Sequence, residues 1–225
     1  MKACCLILAV LSAVVFSASA FAGESAGTRV LVQGHASLRI TTPEGKVIYI
    51  DPYRGEGYDA PADLILLTHG HSDHTAVNKI RKKNKGCEKI TWKEALKGGE
   101  HRTFDLGYVT VEAVQAGNNK NHSIRSCVGY ILTFTDGKTL YVSGDTSETD
   151  QMGELAARGL DYAFFCCDGT YNMDLKEAIA CSELVGARVN IPYHPVADDE
   201  MIGRYGSLFP ENWRAVRAGE EFVLE

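Results

Sequence analysis

The hexapeptide His69-Gly70-His71-Ser72-Asp73-His74 constrains this chain most, because it places four metal-binding side chains within six residues. It follows the apolar run at residues 64–67, which predicts a loop at the end of a strand. Three of the chain's seven histidines lie in it, more than a turn rich in histidine by chance would gather. Imidazole and carboxylate donors suit zinc and other first-row metals. One pair of side chains can converge on one ion and the Asp-His pair on a second, so we predict a two-ion site.

The first 22 residues have the pattern of a secretory signal peptide. Lys2 supplies the positive charge, residues 6–16 form the apolar stretch, and Ala18-Ser19-Ala20 or Ala20-Phe21-Ala22 offers a cleavage site. The apolar stretch is too short to span a bilayer comfortably, which favours cleavage over an uncleaved anchor. We therefore expect a periplasmic or secreted protein whose mature domain covers residues 23–225, with no stable membrane anchor.

The remaining 203 residues suffice for one domain with a sizeable core. The formal net charge of −6 becomes −7 when Lys2 is removed with the signal peptide. An acidic domain lacks the basic surface of a nucleic-acid-binding protein, and the one basic cluster, at residues 79–85, is typical of a solvated helix end. We expect a small-molecule substrate and no nucleic-acid partner, and no pattern indicates an oligomeric state.

Cysteine usage gives no redox motif. Five cysteines follow the signal peptide, and an odd number cannot pair completely within one chain. Cys166 and Cys167 lie in an apolar run, and adjacent cysteines form a disulfide only with unusual geometry. We predict that both are buried strand residues.

The pattern of the chain predicts an α/β fold in which strands dominate. Strands are predicted at residues 29–41, 47–50, 64–68, 108–114, 128–135, 139–142, 162–166 and 189–191, with a hairpin turn at Asp136-Gly137. Helices are predicted at residues 76–85, at 149–158, at 175–185 with Asp174 as the N-cap, and from near Asp198 through Met201 and Ile202. This order favours two sheets covered by outer helices over a strictly alternating barrel.

Further metal ligands are predicted at strand ends, where functional groups are commonly displayed. Asp145 and His194 each follow an apolar run, and His122 lies in the polar loop 117–125. Asp145 could bridge two ions through its two oxygens, His194 could complete the second site, and His122 the first. The alternatives are that Asp145 is a turn residue and that His122 is a solvated loop histidine.

These residues together resemble the metallo-β-lactamase superfamily from about residue 28 to the C-terminus. The resemblance lies in His69-x-His71-x-Asp73-His74, a middle-loop histidine, Gly144-Asp145-Thr146 and the late His194. Ile50-Asp51-Pro52 resembles an early strand end of the superfamily, and Gly34-His35-Ala36-Ser37 resembles the first strand of its ascorbate-phosphate-lactonase-like and phospholipase-D-like branches. The resemblance implies an α/β fold arranged as a four-layer αββα sandwich with the metal ions at one edge.

The resemblance also implies a ligand set. Asp51 would accept a hydrogen bond from a ligand imidazole, unless it only ends its strand before Pro52. Two divalent ions are expected, with zinc favoured and manganese or iron as alternatives. The first ion would bind His69, His71 and His122, the second Asp73, His74 and His194, and Asp145 would bridge both.

One departure concerns the middle loop. Relatives place their histidine directly after the strand end that reads Ala113-Val114-Gln115-Ala116 here, but in this chain it arrives five residues late, at position 122. His122 is favoured as the ligand, and Asn118 is the competitor, as a weak ligand or as a substrate contact.

The implied chemistry is hydrolysis, with Asp73 and Asp145 as the catalytic carboxylates. Two cations roughly 3.5 to 4 Å apart lower the pKa of water to about 7, so hydroxide is available at neutral pH. An ester, a lactone or a phosphodiester could be the substrate, because the fold does not choose among them. A β-lactamase is disfavoured, since relatives that cleave lactams carry Cys or Ser where Asp145 stands. The other alternative is an exported, non-catalytic metal- or ligand-binding protein.

Substrate contacts are expected from four residues: His35, Asn118, Thr170 and Tyr171. Thr170 and Tyr171 lie in a segment, residues 168–174, that resembles a stretch of the lactonase-like relatives. His35 could instead pack at a strand turn, and Asn172 and Asp174 could be helix caps.

Overall fold

The computed structural model describes residues 27–194 and 206–225. The first of its two six-stranded sheets has the order β14-β1-β2-β3-β4-β5 and consists of β1 (Arg29–Gly34), β2 (Ser37–Thr41), β3 (Val47–Ile50), β4 (Ala62–Leu67), β5 (Lys83–Thr91) and β14 (Glu221–Val223). The second has the order β13-β12-β11-β10-β9-β8 and consists of β8 (Thr103–Asp105), β9 (Val109–Gln115), β10 (Val128–Phe134), β11 (Thr139–Val142), β12 (Tyr162–Cys166) and β13 (Val189–Tyr193). A short hairpin of β6 (Leu96–Lys97) and β7 (Glu100–His101) stands apart.

The main core lies between the two sheets. Leu38 and Leu64 of the first sheet and Tyr130 and Phe164 of the second are fully buried in one apolar cluster. The Tyr130 hydroxyl donates to the carbonyl oxygen of Leu67 at 2.9 Å, which ties the sheets together where β4 ends. Every residue of β3 and β4 is buried, as expected for parallel strands covered on both faces.

Helices cover the outer face of the second sheet. Helix α3 (Leu175–Val185) confirms its prediction: the Asp174 side chain accepts from the Glu177 amide, and Gly186 ends the helix in the left-handed region at φ +67°. The helix predicted at residues 149–158 is shorter, α2 (Met152–Leu155), and a 3₁₀ turn (Ala156–Arg158) follows it. Helix α3 packs on β12 and on α2, so the sandwich has its helical layer on this side.

The helix predicted at residues 76–85 is wrong. The chain forms a 3₁₀ turn (Val77–Lys79) and then β5, which pairs in parallel with β4. On a helix, Arg81 and Lys85 would be like charges four residues apart, which is destabilising. On β5, the exposed lysines lie on an edge strand, where they discourage pairing with a further strand. The outer face of the first sheet is instead covered by the loop that contains Tyr58, by Ile80 and by Trp92 at the start of the one-turn helix α1 (Trp92–Ala95).

The single strand predicted at residues 29–41 is a hairpin. Gly34 at φ +118° and His35 at φ +54° reverse the chain, so that β1 and β2 pair antiparallel. The other predicted strands are confirmed to within a few residues, and β5 to β8 and β14 were not predicted. The signal peptide and the helix predicted near Asp198 lie outside the described residues.

Two further findings concern the described part of the chain. None of its helices is long and apolar enough to cross a membrane. Its five cysteines are free. Cys166 is buried in β12, as predicted, whereas Cys167 is buried but lies just after the end of that strand.

The topology brings functional residues to one edge of the sandwich. Strands β3, β4 and β5 run parallel in the first sheet, and β11, β12 and β13 run parallel in the second. Their carboxyl ends display Asp51 after β3, the hexapeptide after β4, Asp145 after β11, Asp168 after β12 and His194 after β13. Loops at this edge of an α/β sheet are the usual place for a ligand site.

Candidate metal centre

Three histidines from two loops form the first group of potential ligands. The ligand atoms of His69, His71 and His122 all lie within 4.8 Å of one another. Nδ1 of His71 is 3.2 Å from Nε2 of His122, which is itself 3.3 Å from Oδ2 of Asp145. The late middle-loop histidine therefore reaches the site, although it comes from a loop between β9 and β10 more than 45 residues from the hexapeptide.

The two asparagines of the middle loop, Asn118 and Asn119, make different contacts. The Asn118 amide donates to the carbonyl oxygen of Glu148 at 2.6 Å, so its side chain is engaged away from the histidines. Oδ1 of Asn119 accepts from the backbone amide of His122 at 2.9 Å and lies 3.2 Å from its Nδ1. That contact places the hydrogen on Nδ1 and leaves Nε2 free to bind a cation. The sequence offered no signal that distinguished Asn119 from its neighbour.

A second group lies on the other side of Asp145. Nε2 of His74 is 3.3 Å from Nε2 of His194. These two atoms are 3.4 Å from Oδ1 and 3.2 Å from Oδ2 of Asp145, respectively. The ligand atoms of Asp73, His74 and His194, together with His35, fall within 4.8 Å of one another.

Asp145 stands between the two groups. Oδ2 faces His122 and His194 and accepts from the Asn172 amide at 3.0 Å, while Oδ1 is buried without a hydrogen-bond donor. Gly144, at φ +63°, lies so close to the carbonyl oxygen of Val128 that a Cβ there would be 2.8 Å from it. The turn that delivers Asp145 therefore requires glycine. One carboxylate thus faces both sets of imidazoles, the position that the sequence predicted for a bridging ligand.

Asp51 orients two of the imidazoles from one buried position. Nδ1 of His74 lies 2.8 Å from its Oδ2, and the Thr68 hydroxyl donates to the same oxygen at 2.6 Å. The Thr68 oxygen is in turn 3.0 Å from Nδ1 of His69. Because Thr68 donates to Asp51, it can accept from His69, which leaves Nε2 of both histidines free for a cation. The resemblance pointed to Asp51, but Thr68 was missed.

Asp168 was also missed. Its Oδ2 lies 3.3 Å from Nδ1 of His194, and its Oδ1 accepts from the amides of Thr170 and Tyr171. Asn172 donates to Asp168 at 2.8 Å as well as to Asp145, so it links the two carboxylates. A signal was present, since Asp168 follows an apolar strand as Asp51 and Asp145 do.

Burial and nearby charges shift the pKa values of the histidines in opposite directions. Burial beside His74 lowers the pKa of His69 to about 2, and burial also lowers that of His122, so both imidazoles are neutral at pH 7. Burial opposes charge on His74 as well, but Asp51 and Asp145 outweigh it and raise its pKa to about 10. Asp145 and Asp168 likewise overcome burial and raise the pKa of His194 to about 9.

The site favours cations. Burial would raise the pKa of Asp145, but His74 and His194 hold it well below its usual range, so the carboxylate is ionised. Buried negative charge requires a compensating positive charge close by. In the metal-free protein, protons on His74 and His194 supply that charge.

The donor atoms fit metal ions. Two ligands roughly 2.0 to 2.1 Å from a tetrahedral zinc ion are about 3.3 Å apart. The facing Nε2 atoms of His74 and His194 are 3.3 Å apart, and the facing nitrogens of His71 and His122 are 3.2 Å apart. Nε2 of His69 and Oδ1 of Asp145 are buried without a hydrogen-bond partner. A cation in each group would satisfy these atoms.

Comparison with known proteins agrees with this arrangement. A family model described as the beta-lactamase superfamily domain matches residues 17–194. The chain belongs to the metallo-β-lactamase superfamily. Within it, the protein is 30% identical over 230 residues to a UPF0173 metal-dependent hydrolase of Geobacillus thermodenitrificans strain NG80-2, in a match that spans 87% of this chain and 100% of the relative. It is a metal-dependent hydrolase of this superfamily.

Solved structures of metal-dependent hydrolases share the fold. A proposed metal-dependent hydrolase from Parabacteroides distasonis ATCC 8503 superposes with a TM-score of 0.70 at 27% identity, over 85% of this chain and 93% of that one. Igni18, a metallo hydrolase from Ignicoccus hospitalis KIN4/I, gives a TM-score of 0.65 at 20% identity, over 88% and 98% of the two chains. The sandwich predicted for this hydrolase is thereby confirmed.

A cavity of about 330 Å³ opens onto the ligand groups of the hydrolase. Asn121, which was not predicted, and the exposed Tyr171 stand in its wall, and the Asn121 amide donates to the Tyr171 carbonyl oxygen at 3.0 Å. Thr170 and His35 are not among the lining residues. Thr170 is exposed, and His35 contacts Asp73 and His194. The lining residues are His71, Asp73, Asn121, His122, Asp145, Tyr171 and His194.

Proposed function

We propose that this protein is a dinuclear hydrolase, with zinc the favoured metal, that cleaves a small ester, lactone or phosphodiester. The observation that carries the proposal is the position of Asp145, whose two oxygens face both histidine groups at 3.2 to 3.4 Å. A site for one ion would not require imidazoles on both sides of one carboxylate. We assign the first ion to His69, His71 and His122, the second to Asp73, His74 and His194, and the bridge to Asp145.

Two divalent cations would supply Lewis acidity, lowering the pKa of water and polarising a substrate oxygen. Residues around the potential ligands fix the orientation of the imidazole rings. Asp51, through Thr68 and directly, fixes the ring nitrogens of His69 and His74, and Asn119 fixes that of His122. Fixed ligands keep the reacting groups in one geometry, which lowers the cost of reaching the transition state.

Asp73 is the proton acceptor that we assign to the reaction. It lines the cavity with 37% of its side chain exposed, so solvent and substrate can reach it. Burial would raise its pKa, but His74 and His35 lower it, so Asp73 is ionised at neutral pH. An ionised carboxylate at the wall can accept a proton from attacking water.

The polar wall favours a small polar substrate. Asn121 can donate to a substrate carbonyl or phosphoryl oxygen, and the exposed ring of Tyr171 can pack against its apolar part. A non-catalytic binding protein was suggested only by the displaced His122, and that side chain lies beside His71 and Asp145. The enzyme is therefore favoured over the binding protein.

Metal content and hydrolysis, measured on the same purified protein, test the proposal. Four probes are used: a p-nitrophenyl ester, a simple lactone, bis(p-nitrophenyl) phosphate and a chromogenic cephalosporin. We expect two zinc ions per chain and turnover of at least one of the first three. Asp145→Asn keeps the shape of the side chain but removes its charge, and should lose at least one ion and lower kcat by about 100-fold. Asp150→Asn, at an exposed aspartate outside the site, is the matched control and should change neither.

Each other outcome has a clear meaning. Two ions and full activity in Asp145→Asn would refute the bridge. One tightly bound ion without turnover of any probe would indicate the binding protein, and turnover of the cephalosporin alone would indicate a β-lactamase.

We also propose that the enzyme acts after export, in the periplasm or outside the cell. The support is the N-terminal pattern of Lys2, an apolar stretch and small residues. N-terminal sequencing of exported protein should give a start near Phe21 or Gly23, and a start at Met1 would contradict cleavage.

A further inference from the structure

His35 contacts two of the residues assigned to the second ion, Asp73 and His194. It lies at the tip of the β1–β2 hairpin, and its carbonyl oxygen accepts from the backbone amide of His194 at 3.1 Å. Its imidazole Nε2 is 3.2 Å from Oδ2 of Asp73. The His35 ring also lies against the His194 ring, with centroids 3.8 Å apart. One residue thus contacts the backbone of one ligand and the carboxylate of another.

The backbone at this point is held in an unusual conformation. His35 has φ +54° and His194 has φ +58°, both in the left-handed region that side chains rarely adopt. The hydrogen bond between the two residues joins these turns directly, one from each sheet. Such conformations persist where the surrounding structure requires them, often at ligand sites.

The side chain of His35 is restrained on its open side. Its ring meets Tyr53 edge-on with centroids 5.2 Å apart, and only 13% of the side chain is exposed. Asp73 is 37% exposed and, in the described residues, His35 is the side chain that contacts its carboxylate within hydrogen-bond distance. Without this contact, the carboxylate could turn either oxygen, or neither, toward the site.

We propose that His35 is the positioning residue of the second ion site, a role that rests on the proposed dinuclear function. Its Nε2–H donates to Oδ2 of Asp73, which leaves Oδ1 as the oxygen for the ion, and its carbonyl oxygen fixes the turn that presents His194. The first site, formed by His69, His71 and His122, does not contact His35. Loss of the His35 imidazole therefore weakens the second ion selectively.

Metal binding by His35 variants tests this role without relying on activity. For wild type, His35→Ala and His35→Gln, the zinc content is measured after gel filtration, and the two dissociation constants by competition with a chelating dye. His35→Ala should keep the first ion and bind the second about 10-fold or more weakly. His35→Gln should retain both ions, because the glutamine amide can donate to Asp73. His101→Ala, a histidine outside the site, should match wild type.

Cobalt substitution gives a second readout. The visible absorption of bound Co²⁺ should lose the component of one site in His35→Ala and keep it in His35→Gln. Unfolding of the metal-free variants, followed by circular dichroism, shows that each is folded before its metal binding is compared.

Four results would overturn the inference. If His35→Ala binds both ions as wild type does, His35 only packs at its turn. If His35→Gln loses the second ion as completely as His35→Ala, the imidazole binds the ion directly. If both ions weaken together, the effect is a general loss of structure. If wild type itself holds fewer than two ions, the dinuclear function fails as well, which distinguishes that case from the other three.

Discussion

At the scale of single residues, the centre depends on side chains that orient the imidazoles. Asp51 is fully buried in a left-handed conformation at φ +45° and accepts hydrogen bonds from His74 and Thr68. The Thr68 hydroxyl oxygen in turn contacts Nδ1 of His69 and so orients that ring. One carboxylate therefore orients an imidazole in each of the two groups of potential ligands, so its loss should affect both groups.

Thr68→Val tests the link between Asp51 and His69. Valine has nearly the same shape, but it cannot accept from Nδ1 of His69 or donate to Asp51. The first zinc ion should bind about 10-fold or more weakly, while the second, held by His74 through its direct contact with Asp51, should bind as before. Zinc competition titration measures both ions. Thr133→Val, at an exposed strand position, is the control, and equal binding in both variants would show that the hydroxyl is dispensable.

The two asparagines of the middle loop give a paired prediction. Asn119→Ala removes the acceptor beside Nδ1 of His122 and should weaken the first ion about 10-fold. Asn118→Gly, which suits the left-handed backbone at φ +61°, loses the contact with the Glu148 carbonyl oxygen and should leave zinc binding unchanged. Zinc titration of both variants measures the effect. If the Asn118 variant binds zinc more weakly than the Asn119 variant, Asn118 is the residue that supports the ligands.

At the scale of elements, the hexapeptide loop is held against a short helix. A Cβ at Gly70 would lie 2.8 Å from the Trp92 ring at the start of α1, closer than real contacts allow. Trp92 also packs against two apolar clusters, the main core between the sheets and the smaller cluster on the outer face of the first sheet. The path of the loop between His69 and His71 is therefore fixed by packing as well as by any ion.

Gly70→Ala tests this packing. Because the Trp92 ring is held by the core, the loop has to move, and we expect a loss of about 1–3 kcal/mol in the free energy of unfolding together with weaker zinc binding. Gly153→Ala, in α2 where a Cβ meets no atom within 4 Å, should be neutral or stabilising by up to about 1 kcal/mol. Urea unfolding measures both, and equal stability of the two variants would contradict the packing argument.

At the scale of the whole molecule, the sandwich concentrates negative charge in its interior. Ionised Asp145 is buried at the edge of the sandwich where β11 ends, and the protonated forms of His74 and His194 neutralise it without metal. Zinc needs neutral imidazole, so binding has to displace the protons from His74 and His194. Metal binding and proton release are therefore coupled.

This coupling predicts a pH dependence with a definite sign. The pKa values of His74 and His194, raised to about 10 and about 9, lie above neutral pH. Both rings are therefore in the positively charged imidazolium form in the metal-free protein at pH 7. Zinc affinity should rise as pH increases from 6 toward 9, and binding at pH 7 should release protons. Calorimetry in two buffers of different ionisation enthalpy counts them. Heats that do not depend on the buffer would show that the rings are already neutral.

Chelation of the metal should lower the stability of the whole protein. A ligand present at 1,000 times its dissociation constant stabilises the folded state by about 4.1 kcal/mol. Thermal unfolding with and without a chelator measures the difference, and an unchanged midpoint would contradict a metal site built into the fold.

The sequence by itself determined the chemistry of this protein. Strands β3, β4, β11, β12 and β13 are short apolar runs, and polar residues directly after them have to lie at strand ends, so the hexapeptide, Asp145 and His194 could be identified from local pattern. The resemblance of those residues to a known superfamily then implied the sandwich, and the comparisons and topology confirm it. Local pattern sufficed because these choices depend on burial along a few consecutive residues.

Only the tertiary structure decided how the residues meet. Residues 76–85 pattern as a helix, but pairing with β4 draws part of them into β5. Asn118 and Asn119 are equivalent in sequence, and the approach of Glu148 to one and His122 to the other separates them. Thr68, Asp168 and His35 acquire their contacts from partners far along the chain. Hydrogen bonds form between residues at separations that no sequence spacing encodes. The residues that converge at the site could therefore be predicted, but not the groups that orient them.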